Sequence, residues 1–305
     1  MTYGINNIDS YVNQTYFDYY MNITLTPIGI LTNLASIYIF TRKTLNNNTK
    51  IGNMHAILCL FNLFPLVNSM LILQLLPAWD FHMLEYTNLS CKLVSFWLRL
   101  SLDCPSLQLC IITIMLYTSV KDHSRHMWLS SNLSTICVAS FSFLFMLNFP
   151  FLFYNLETSN VTASNTTRFE CRASDALAIV TDLSNLFIRY FIPFVLMFII
   201  NFLILKHFHN LEINRFKVTR QSPKPKVLIF TIMIKNMLFL VFYMPWAVSI
   251  IVSFFVDSMS LVHFYDIALT LSYTINSLPF FVHVIFNQLF RDEMKKLIQL
   301  SYRRP

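Results

Sequence analysis

Glycine is nearly missing from this chain: Gly4, Gly29 and Gly52 are the only three in 305 residues. That shortage excludes the glycine-rich loops that cradle nucleotide phosphates and the tight turn of a dinucleotide-binding motif. Charge is scarce too. Asp, Glu, Lys and Arg make up 12% of the residues, about half the share of a soluble domain. No GxSxG, HExxH or kinase signature occurs. His123-x-x-His126 and His207-x-His209 lack carboxylate or cysteine companions. An enzyme is therefore not expected, nor a cofactor or a bound metal.

What the chain has instead is apolar length. It is 55% hydrophobic, with 30 Phe and 14 Tyr, and its mean hydropathy is +0.54. Apolar stretches recur at about 24–41, 54–77, 93–118, 132–154, 183–206, 227–253 and 262–286. Each is near the ~20 residues that carry a helix across a ~30 Å hydrocarbon core. Lipid leaves exposed backbone groups unsatisfied, and no short alternating barrel strands are present, so these are expected to be helices. The fourth is the weakest, being interrupted by Ser134, Ser140, Ser142 and Asn148. The expected fold is all-α, a seven-transmembrane-helix bundle over 23–286. An extracellular segment (1–22) precedes it, and a cytoplasmic tail (287–305) follows.

Basic residues set the orientation, because they stay on the cytoplasmic side. With the N-terminus outside, inner segments hold 16 of the 22 Lys and Arg, from Arg42, Lys43 and Lys50 to Lys295, Lys296, Arg303 and Arg304. Glycosylation sequons at Asn13, Asn22, Asn88, Asn160 and Asn165 all fall outside; those at Asn13, Asn160 and Asn165 are the candidates on the N-terminal segment and a long outer loop. No cleavable signal peptide precedes the first span, which is expected to anchor the chain in the plasma membrane. The net charge of +7 belongs to loops facing anionic lipid, at ~1 kcal/mol per basic residue. No soluble basic domain remains to bind nucleic acid.

Cys59, Cys104, Cys110 and Cys137 lie within spans, where small apolar residues are ordinary. Cys91, at the outer mouth of the third span, and Cys171, in the outer loop 155–182, share an oxidising compartment. A disulfide between them is the natural pairing.

Seven spans with a cysteine opening the third and another in the second outer loop resemble the rhodopsin-like (class A) G-protein-coupled receptors over residues 23–300. Asn33 in IGILTNLASIYIFTRK looks like the first-helix asparagine, and Asn62 in LCLFNLF stands where the second helix usually has an aspartate. Cys91 and Cys171 match the family disulfide. Pro193 in RYFIPFVLMFII and Pro245 in FLVFYMPWAV look like the fifth- and sixth-helix prolines. The FIPF motif and the FNQLFR ending are similar to invertebrate neuropeptide receptors of the FMRFamide-receptor type. FNQLFRDEMKKLIQL resembles the short amphipathic helix that follows the seventh span. Its Phe286, Leu289, Phe290, Met294, Leu297 and Ile298 share one face, opposite Arg291, Asp292, Lys295 and Lys296, an interfacial pattern.

The resemblance fails at the activation motifs. The third-helix acid–arginine–tyrosine reads Met115-Leu116-Tyr117, and the seventh-helix motif ends on His283 in PFFVH, with its register open around Asn276-Ser277. Tyr243 stands for the sixth-helix tryptophan, and Asn201 for the fifth-helix tyrosine. Leu116 cannot offer the donors an arginine would, so coupling to a heterotrimeric G protein is in question. Asn62 brings no charge to hold sodium. His283 can replace part of a tyrosine's hydrogen bonding.

Charges within spans cost roughly 2.5–3.5 kcal/mol each on insertion scales and face the bundle interior. Arg99 and Asp103, four apart on one helix face, are read either as an intrahelical ion pair or as ligand contacts. Arg189 lies at similar depth, Asp182 nearer the mouth. Tyr243, Trp246 and Tyr273 are interior aromatics, as packing or as ligand cage. Lys235 is expected in the inner half, reaching toward the interface. Leu98, where amine receptors of the family carry an aspartate, disfavours a monoamine, and the acidic outer residues would steer a basic peptide. The expected function is that of a receptor for an extracellular peptide ligand, anchored near Arg99, Asp103 and Arg189. The alternatives are a non-coupling decoy receptor and, with no internal repeat to support it, a membrane transporter.

Overall fold

The computed structural model describes residues 8–42, 51–72, 81–121, 127–129, 131–161, 166–215, 224–253, 255 and 259–302. Among them the chain is almost wholly helical. The helices are α1 (Ile8–Phe40), α2 (Ile51–Met70), α3 (Asn88–Lys121), α4 (Leu133–Asn148), α5 (Asp175–Asn185), α6 (Ile192–Arg215), α7 (Lys224–Ser253), α8 (Met259–Thr274), α9 (Pro279–Phe286) and α10 (Gln288–Tyr302). A one-turn helix, Met83–Tyr86, precedes α3. A hairpin, β1 (Asn155–Val161) with β2 (Thr166–Arg172), pairs antiparallel with Leu156 opposite Cys171.

Among the described residues, five segments are long and apolar enough to cross a membrane: Ile23–Phe40, Asn88–Lys121, Leu133–Phe153, Asp175–His207 and Phe230–Ser253. Ile267–Ser277 with Pro279–Phe286, bent by 49°, makes a sixth if the two are one span. These are the helices of a membrane-embedded protein. The segment expected at 54–77 is helical over Ile51–Met70, 20 residues, or about 30 Å at 1.5 Å per residue. Its polar residues lower its apolar content but point inward: His55, Asn62 and Asn68 are buried while Leu60 and Val67 are exposed. Residues 73–77 lie outside the described ones.

Two helical features go beyond the expected spans. α1 begins at Ile8, so helix continues well into the segment assigned as an extracellular tail. The fifth expected span is not one regular helix: α5 runs through a π-helical turn, Leu186–Phe191, into α6. Pro193 stands at the second position of α6, and its missing N–H explains why the regular i→i−4 ladder is disturbed just before it.

The largest apolar core joins α2, α3, α6, α7 and α8 through Met54, Leu109, Ile112, Met197, Ile204, Ile232 and Ala268. A second, at the end of the bundle away from the hairpin, packs Ile39, Phe40 and Ala56 around Phe290 of α10, with Met294 and Leu297 beside it. Leu289 and Ile298 stay exposed. Arg291 donates to the carbonyls of Val284 (3.2 Å) and Ile285 (2.6 Å), so α10 also satisfies open backbone acceptors at the end of α9.

Candidate functional site

At the hairpin end, Cys91 near the start of α3 and Cys171 on β2 are disulfide-bonded, with Cα atoms 5.5 Å apart. The cross-link fixes the hairpin to the head of α3. The Asn88 side-chain carbonyl adds a bond from the Leu156 amide at 3.2 Å.

Below the hairpin lies a buried ionic network. Arg189 donates through Nε to Asp103 Oδ1, and through Nη2 to the backbone carbonyl of Arg99 at 3.0 Å. Asn148 Nδ2 donates to the other carboxylate oxygen at 2.8 Å and to Leu144 O at 3.0 Å. The pair thus ties α3 to the π-turn, and α4 joins through Asn148. Asp103 is not the partner of Arg99, contrary to the intrahelical pair that the i,i+4 spacing suggested. Arg99 extends its guanidinium over Phe151, 5.4 Å from the ring centroid, where cation–π attraction replaces a salt bridge. The π-turn explains the choice: it brings Arg189 to 1% exposure within reach of the carboxylate. A buried carboxylate gains more from an equally buried, hydrogen-bonded partner than from a half-exposed neighbour. Arg189 Nη1 has no hydrogen-bond partner among the described residues. Asp182, half-buried on α5, lies within electrostatic reach of Arg99.

The aromatics expected beside this network are packed residues. Arg189 lies over the Tyr190 ring (5.9 Å), Tyr190 meets Tyr243 (5.6 Å), and Tyr243 meets Phe239 (4.5 Å). Tyr243, Trp246 and Tyr273 are all buried. Tyr243 also lines a cavity of about 40 Å³ shared with Asn62, Pro105, Lys235, Asn276 and Pro279, room for water but not for a peptide side chain.

Around that cavity Asn33, Asn62 and Asn276 are connected. Asn33 Nδ2 donates to Gly29 O (2.8 Å) and to Asn276 O (2.9 Å), and Asn62 Nδ2 donates to Asn33 Oδ1 (3.4 Å). The single-turn 3-10 segment Ile275–Ser277, followed by Pro279 at the head of α9, supplies the Asn276 carbonyl. Pro245 lies inside α7.

Toward the other end, Met115 (1% exposed) and Leu116 (2%) are part of the main core beside Ile204 and Ile232. Tyr117 is half-buried, and Lys121 donates to its hydroxyl at 2.9 Å. A polar tie that sequence reasoning missed lies one turn away. Asn236 Nδ2 donates to Asn201 Oδ1 (3.0 Å) and to Thr113 Oγ1 (3.1 Å), while Thr113 donates to Leu109 O (2.8 Å). It joins α3, α6 and α7. Its signal in the sequence was an asparagine inside each of two apolar spans.

Lys235 differs from expectation as well. It does not reach out to the interface: it is 5% exposed, with Nζ 2.6 Å from His283 Nε2. The neighbouring rings of Phe40, His55 and Phe290 enclose His283, so the amine meets an imidazole on one side and the small cavity on the other.

Of the glycosylation candidates, Asn13 falls on α1 and Asn160 on β1, where the backbone alone is described, and Asn165 lies outside the described residues. No known family model matches the sequence, and comparison with curated proteins gives no match.

Proposed function

We propose that the chain is a seven-helix receptor of the plasma membrane, its N-terminus outside, that binds an extracellular peptide beneath the β1–β2 hairpin. One observation carries this reading: a buried Asp103–Arg189 pair below a hairpin cross-linked to α3. Asp103 is neutralised within the bundle by Arg189, so the ligand's direct contacts are Arg99 and Asp182. The Asp103–Arg189 pair then acts as the element whose packing the ligand shifts. Its links run through Tyr190 and Tyr243 toward the central cavity.

A second reading is a receptor that binds without activating a G protein. The burial of Leu116 favours it, since an apolar side chain locked in the core offers nothing to a cytoplasmic partner. The test is expression of the full chain with a panel of amidated peptides, recording surface binding and G-protein activation together. Saturable binding that falls about tenfold or more in Arg99→Ala, at unchanged surface level, is the expected result. Binding without activation selects the second reading. Flux of a solute with no binding selects a transporter and overturns both.

A further inference from the structure

We infer that Lys235, His283 and Asn287 form a proton-operated latch on the first turn of α10. Asn287 is the N-cap of that helix. Its backbone carbonyl accepts the Arg291 amide at 3.1 Å, and its Oδ1 accepts the Phe290 amide at 3.2 Å, the two bonds that define a capping asparagine. With Oδ1 so engaged, Asn287 turns Nδ2 toward His283 Nδ1, 3.5 Å away. An amide nitrogen only donates, so for this contact to be a hydrogen bond Nδ1 must accept and the imidazole hydrogen must sit on Nε2. Nε2 faces Lys235 Nζ at 2.6 Å. For that contact to be a hydrogen bond, the lysine must present a lone pair, as the free amine.

The surroundings agree with an uncharged cluster. His55 from α2 meets His283 edge-on at 4.8 Å, and neither of its nitrogens has a hydrogen-bond partner among the described residues. Cys59 from the same helix also faces Lys235. α1 contributes Phe40, stacked on His55 and edge-on to His283. On α10, Phe290 stacks on His283, Arg291 is turned to the α9 carbonyls, and Glu293 is paired with Lys296. Among the described residues no carboxylate is ion-paired with the lysine or either histidine.

Adding one proton reverses the chain. Lys235 becomes an ammonium and donates to Nε2, and the imidazole hydrogen then belongs on Nδ1. Nδ1–H confronts the Asn287 NH₂ group, donor against donor. Asn287 relieves the conflict by turning its oxygen to His283, which releases the Phe290 amide and uncaps α10. The cavity lined by Lys235 has room for the water that delivers the proton. None of this requires that the chain be a receptor.

The test is amide hydrogen exchange of the segment 288–294 in the full chain in lipid nanodiscs, corrected for intrinsic rate, from about pH 8 to about pH 5. Protection of the first turn of α10 should fall about fivefold toward low pH, the effect of a lost N-cap, while the rest of α10 changes less. Lys235→Met should make it independent of pH. Asn287→Asp should do the same while keeping the turn protected, because a carboxylate accepts from Phe290 and from Nδ1–H together. A flat wild-type profile overturns the inference. So does a pH-dependent loss of protection that survives in Lys235→Met or in Asn287→Asp.

Discussion

Asp103 is bonded to Arg189, 86 residues away, while Arg99 stands one turn before it on the same helix. The consequence is a charge pair that holds two elements together instead of stiffening one. Its stability is conditional, because each partner is expensive in the interior without the other. Arg189→Leu or Asp103→Leu alone should destabilise the protein by about 3–5 kcal/mol. The double substitution should cost clearly less than the sum, since it removes both charges. Thermal unfolding of the four proteins in detergent measures this, and additivity would mean that the two side chains do not depend on each other.

Leu116 makes the opposite case, an apolar residue whose replacement by charge has nowhere to go. It is 2% exposed and belongs to the main core that α2, α3, α6, α7 and α8 share. Leu116→Arg should lower stability by roughly 2.5–3.5 kcal/mol and reduce surface display. Met115→Asp added to it supplies an adjacent acid and should recover part of the loss. If Leu116→Arg unfolds at the wild-type temperature, the position is open to solvent and the burial is wrong.

Hydropathy made the helical membrane fold legible, because the apolar runs needed only length to be recognised. Cys91 and Cys171 were legible for a similar reason, since the other cysteines fall inside spans. The partner of Asp103 was not. Helical spacing pointed to Arg99, and only the π-turn at Leu186–Phe191, a three-dimensional consequence of Pro193, brings Arg189 to the carboxylate. Asn148 showed in the sequence as an interruption of an apolar span, and it proved to be the third member of the network. Lys235 was expected to reach outward, and it is buried against His283 instead. Snorkelling is the default for a lone lysine, and the imidazole that draws it inward lies 48 residues away.

At Gly29, α1 lies close against the 3-10 turn before α9. A Cβ at Gly29 would collide with the Ser277 hydroxyl and meet Ser277 Cβ at 2.9 Å and Leu66 Cδ1 at 3.0 Å. Gly29→Ala should therefore cost about 1–3 kcal/mol through overpacking, despite the higher helix propensity of alanine. Ser277→Ala in the same chain removes the nearest atom and should restore part of that loss. A gain in melting temperature on Gly29→Ala alone would show that the two segments can separate freely.

Asn201 and Asn236 offer the sharpest test of how the core is held, because their bond links α6 to α7 with both side chains buried. The Asn236 amide spends its two hydrogens on Asn201 and Thr113, so Asn236→Leu strands an acceptor on each of two neighbouring helices. Asn201→Leu strands only one hydrogen. Asn236→Leu should thus be the more destabilising single change, by about 1–3 kcal/mol. The double variant should reveal a coupling of about 0.6–1.7 kcal/mol, the range for interhelical hydrogen bonds inside membranes. Unfolding of the double-mutant cycle in detergent reads the coupling directly. A value near zero would mean that α6 and α7 are held by apolar packing alone, with Ile204 and Ile232 carrying the contact.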